Sequence, residues 1–128
     1  MPLVLIVALV LHVLSAVFWA GSTFTLSRIG AEGALRLFRP QMGASLVAFV
    51  SGGYLWSQLH RGFGVAEKVL LVGVLCAFAA AGIQGALIGP AARSEAAAGF
   101  TSRALKAQRI AAALLAITLA CMVLARYI

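Results

Sequence analysis

Few side chains in this sequence can do chemistry. There are two histidines, two cysteines, three glutamates and no aspartate. The one most in need of explanation is His12, inside Leu11–Phe24 (LHVLSAVFWAGSTF), because the run from Leu3 to Leu26 carries no charge. An imidazole about 13 Å along such a helix, at 1.5 Å of rise per residue, is costly in lipid unless it faces a partner, which makes it a candidate site. Helical spacing puts Ala8, Ser15, Ala16 and Trp19 on its face, small residues beside one large aromatic. The competing reading is structural: a lone membrane histidine can simply bond Ser15 or a neighbouring helix.

Two metal chemistries suit His12. A neutral imidazole is a sufficient axial ligand for haem b, with the second position open to a side chain, water or nothing. A bis-histidine haem would need His60, which depth counting leaves at the surface, so that arrangement is not expected. Copper(I) prefers soft sulfur with imidazole, and Cys76 falls at roughly 16 Å and Cys121 and Met122 at about 8 to 10 Å from the side of the termini. Lys68 lies near the surface on that side. The glutamines Gln41, Gln84 and Gln108 fall near the opposite side, where bonds between helices are expected, with Arg39 and Arg109 among the partners.

Other functions are argued against by what is missing. All three glutamates fall at helix ends or in loops, whereas a proton-coupled transporter of this size needs a deep acid. No serine, histidine and carboxylate share one depth, so hydrolysis is set aside. Whether the chain is an enzyme stays open.

These residues are positioned by long apolar runs. The 128 residues are 63% hydrophobic and 10% charged, and the mean hydropathy is +1.07, values that exclude an ordinary soluble domain. The expected fold is all-α, a single transmembrane domain over 1–128 forming an up-down-up-down integral membrane four-helix bundle. Its helices are expected at about 3–26, 35–59, 66–88 and 103–127. The first run lacks a basic leader and is read as retained in the mature protein. Cys76 and Cys121 lie within helices, so they read as buried thiols, not a disulfide framework. Ala44, Ala48, Ser51 and Gly52 mark a packing face on the second helix. The third has one at Gly73, Ala77, Ala80 and Ala81, and a second at Gly82, Gly85 and Gly89.

The formal charge of +7 follows topology and not nucleic acid, which is not an expected partner. Seven of the ten basic residues (Arg28, Arg36, Arg39, Arg93, Arg103, Lys106 and Arg109) fall on the side away from the termini. The positive-inside rule therefore puts both termini on the non-cytoplasmic side. The expected setting is a bacterial inner membrane, with the lipid bilayer as partner and a homo-oligomer or other membrane subunits as further candidates.

LHVLSAVFWAGSTF, Arg28, SGGYLW at Ser51–Trp56 and EKVLLVGVL from Glu67 together resemble the copper resistance D superfamily, which includes the membrane protoporphyrinogen oxidases. The first helix of that family carries a histidine, a tryptophan seven residues on and then small residues, matched here by His12, Trp19, Ala20 and Gly21. Its third helix opens with a lysine, matched by Lys68. The resemblance implies a helical bundle concerned with copper uptake or with haem or porphyrin chemistry, His12 being the ligand and Lys68 a functional partner. The segment CAFAAAGIQG lacks the extra histidines of the oxidase branch. The leading expectation is a haem b site held by His12, lined by Trp19 and contacted at a propionate by Lys68. A copper protein using His12 with Cys121, Met122 and Cys76 is the first alternative, and an assembly subunit without cofactor the second.

Overall fold

The computed structural model describes residues 2–29, 31–60, 62–88 and 100–128. Four helices make up nearly all of them: α1 (Leu3–Ile29), α2 (Ala31–Leu59), α3 (Val65–Leu87) and α4 (Phe100–Tyr127). They form an up-down-up-down membrane bundle. At about 1.5 Å per residue the 27 residues of α1 reach well past a hydrocarbon core of about 30 Å, so its basic end stands among headgroups. For this reason the helices outrun the apolar runs. Of the polar link expected between 27 and 34, the described residues 27–29 and 31–34 are helical, and α4 starts at Phe100 where 103 was expected. Charge marks the membrane boundary, whereas a helix continues for as long as its backbone bonds are satisfied. Residues 89–99 of the expected Gly89–Ser102 connection, with Arg93, lie outside the described residues, as does Arg61.

By length and composition α1, α3 and the Leu105–Tyr127 part of α4 can each cross a membrane. α2 has the length but is more polar, and the polarity is turned inward: Gln41, Ser45 and Ser51 are all buried. Ser45 and Ser51 return their hydroxyls to the carbonyls of Met42 and Val47 at 2.7 and 2.6 Å. The outer surface is what lipid requires, with Leu14, Val17, Val50 and Leu75 each more than half exposed.

Packing is by small residues. Ala48, Ala77, Ala80 and Ala111 surround the two large core residues Trp19 and Leu115. Gly73 brings α3 against α4 so closely that a Cβ built there would stand 3.0 Å from Cβ of Cys121 and 3.4 Å from the Thr118 carbonyl oxygen. Thr118 Oγ1 donates to the Gly73 carbonyl at 2.9 Å. Thus α3 sits tightly on α4, and α1 packs on both α2 and α4. α2 and α3 meet only sparsely. The first small-residue face expected on α3 is packed, with Gly73, Ala77 and Ala80 buried. Of the second, Gly82 and Gly85 are not packed, since Cβ atoms built there would meet nothing within 4 Å, and Gly89 lies outside the described residues.

This difference between glycines can be measured. Gly73→Val is expected to lose about 1–3 kcal/mol by overpacking α3 against α4, read as a lower unfolding temperature in detergent. Gly82→Ala should cost nothing and gain up to about 1 kcal/mol from helix propensity.

Candidate functional site

The site begins with its floor. Gln84, fully buried on α3, accepts the indole N–H of Trp19 at 2.8 Å through Oε1. Its Nε2 donates to Thr23 Oγ1 and to Gln108 Oε1, both at 2.9 Å. Gln41 of α2 adds donations to Thr23 Oγ1 at 3.1 Å and Ser22 Oγ at 3.0 Å, and Thr23 passes its own proton to the Trp19 carbonyl at 2.7 Å. One polar cluster therefore ties all four helices. The glutamines bond between helices as expected, but to Trp19, Ser22 and Thr23; Arg39 and Arg109 are exposed. Long cations at that depth find headgroups and water, and amides suit the dry interior better.

α2 and α3 meet only sparsely along the bundle. Trp19 meets Phe49 edge to face at 5.6 Å, and Phe49 stacks on Phe78 of α3 at 4.2 Å and 6°. The stack joins α2 to α3. Between it and the helix ends on the side of the termini lies a cavity of about 570 Å³, within the range of roughly 300–1,000 Å³ usual for small-molecule and cofactor sites. Its lining comes from all four helices and is almost wholly carbon.

His12 lies on its wall. Nδ1 is 3.0 Å from the Ala48 carbonyl oxygen and 3.2 Å from Ser51 Oγ. A carbonyl only accepts, and the Ser51 proton is committed to Val47 O, so both neighbours are acceptors and Nδ1 carries the hydrogen. In the neutral ring Nε2 is then the nitrogen with the lone pair, and it has no bonded partner among the described residues. The ring lies over Gly52, where a built Cβ would be 2.9 Å from its Cε1; only glycine leaves room for it. Ser15 does not serve the ring, since its hydroxyl donates to the backbone carbonyl of His12 at 3.1 Å. An imidazole whose far N–H is fixed on a backbone carbonyl and whose near nitrogen is bare is the arrangement of a metal-ligating histidine.

The other expected residues divide. Trp19, only 3% exposed, lines the cavity, as does Met122 of α4. Cys121 turns to Gly73 of α3, and Cys76, half-buried, is outside the lining. Among the described residues no group of three or more histidines, cysteines and acids could hold a metal ion. Lys68 is exposed in the first turn of α3, three residues before the lining residue Leu71. Sequence reasoning missed His60, which stands at the mouth with Trp56. Its Nδ1–H donates to Glu67 Oε1 at 3.1 Å, and Oε2 of the same carboxylate caps α3 by accepting the Gly64 N–H at 3.0 Å. The signal was the seven-residue spacing from His60 to Glu67 across a link with two glycines.

The chain matches no family model, no curated protein and no solved structure.

The His12 assignment is open to a test without any cofactor. Imidazole ¹⁵N spectra should find a protonated Nδ1 and a bare Nε2 at His12. Gly52→Ala should displace the ring and abolish that signature while the bundle still folds; an unchanged spectrum would mean that Gly52 does not seat it.

Proposed function

We propose that this protein is a haem b-binding membrane protein with a redox or porphyrin-related role, His12 Nε2 being an axial ligand. One observation carries the reading: His12, its Nδ1 fixed on the Ala48 carbonyl and Ser51, lines a large apolar cavity inside a membrane bundle. The size of that cavity favours a flat macrocycle over a single ion. Copper is less well supplied, because Cys121 packs on Gly73 and Cys76 lies outside the lining, leaving His12 and Met122. The resemblance of the first helix to the copper resistance D superfamily supports the same histidine.

In this reading Trp19 and the Phe49–Phe78 stack would close the inner end, Ala48 and Ser51 would hold the ligand ring, and the acidic groups of the macrocycle would need a cation near the mouth. Lys68 offers its ammonium there from the first turn of α3. The bound group would supply one-electron chemistry, while the chain orients it and excludes water. The distribution of basic residues supports termini, and with them the cavity, on the non-cytoplasmic side of the membrane, for which a bacterial inner membrane is the proposed setting.

Protein purified in mild detergent, with haem supplied, should show a Soret band that His12→Ala lacks. Insertion should survive the change, since the apolar runs are untouched. Ser51→Ala should weaken retention by up to about tenfold as an outer-shell change, and Lys68→Met less, because a contact near the interface competes with water and salt. A His12→Ala protein with wild-type haem content would refute the proposal.

A further inference from the structure

The cavity wall offers few heteroatoms, and most are already committed. Thr118 Oγ1 donates to the carbonyls of Gly73 and Leu114 at 2.9 and 3.0 Å, and the Trp19 N–H is held by Gln84. Among the described lining side chains, four polar atoms remain without a bonded partner: Nε2 of His12, the Met122 sulfur, and at the mouth Nε2 of His60 and the Trp56 indole N–H. An indole N–H only donates and cannot ligate.

His60 is too far along the bundle to share an iron with His12. The His12 ring contacts Ala48, Ser51 and Gly52, and His60 lies eight residues beyond Gly52, about 12 Å of helix rise. Its ring is also anchored to the capping carboxylate of α3. Met122 is placed differently. Trp19 and Ala20 of α1 belong to the same packed cluster as Ala111 and Leu115 of α4, and counting both antiparallel helices from there towards the mouth brings Met122 to within one turn, roughly 5 Å, of the level of His12. Side chains on a helix lean towards its N-terminus. α1 and α4 run in opposite directions, so that rule tilts side chains at these two positions towards a common level, and both residues line the same cavity.

We propose, building on the haem reading, that the Met122 thioether is the second axial ligand, making a six-coordinate histidine–methionine haem. A thioether is a soft, weakly donating ligand that raises the reduction potential, and a filled sixth position keeps small gases off the iron. Such a centre passes electrons and leaves oxygen chemistry to others.

The test compares the haem-loaded wild type with Met122→Leu, which nearly keeps the side-chain volume, Met122→His and His60→Ala. The ferric wild type should show low-spin resonances and the near-infrared charge-transfer band of iron–thioether ligation by magnetic circular dichroism. Met122→Leu should lose that band and bind carbon monoxide when ferrous, Met122→His should stay low-spin at a lower potential, and His60→Ala should match the wild type. A wild-type protein that retains haem but binds carbon monoxide as readily as Met122→Leu overturns the methionine assignment and leaves the haem reading standing. Loss of the thioether band in His60→Ala overturns it too, and a wild type that takes up no haem overturns both.

Discussion

The structure depends on the amide of Gln84. Lipid tails are as apolar as leucine, so apolar surface alone gives four membrane helices little reason to prefer one another to lipid. A buried carboxamide changes that, because its donors and acceptor have no water to turn to. Gln84 meets the need with Trp19, Thr23 and Gln108, and Gln41 joins through Thr23. Membrane hydrogen bonds average only about 0.6 kcal/mol each, yet the cluster touches every helix and fixes their register at one depth. The cavity lies beside that tie, lined by all four helices and sharing Trp19 with it.

The same tie connects fold to site. Trp19 is both a member of the polar cluster, through its N–H, and a wall of the cavity, through its ring. Its edge-to-face contact with Phe49 leads to the stack with Phe78, which limits how closely α2 and α3 can approach. On the other wall, the absence of a side chain at Gly52 lets the His12 ring lie on the α2 backbone and reach the Ala48 carbonyl. A helix–helix contact of that kind fixes tautomer and direction together, which a solvated histidine would lack.

Much of this was legible in the sequence because membrane helices announce themselves by charge-free length, and because the i, i+3, i+4 rule gives the faces. The stripe from His12 to Trp19 and the Gly73–Ala77–Ala80 face followed from spacing alone. What spacing cannot give is the rotation of one helix against another. For that reason Cys121 and Met122, adjacent in sequence and similar in depth, looked interchangeable, although one packs on Gly73 and the other opens into the cavity. Depth counting puts His60 at the surface and gives no hint that it lines the same cavity, since which helices enclose a cavity has no local signature. The helix ends were misjudged for a simpler reason: charge reports where lipid stops, not where hydrogen bonding does.

The central claim is that His12 presents its bare nitrogen to a macrocycle in the cavity. Chemical rescue tests it most directly. His12→Gly, which opens a space of imidazole shape beside Gly52, should bind no haem alone and regain a low-spin haem spectrum when free imidazole is added. A glycine variant that holds haem equally well with and without imidazole would contradict the account.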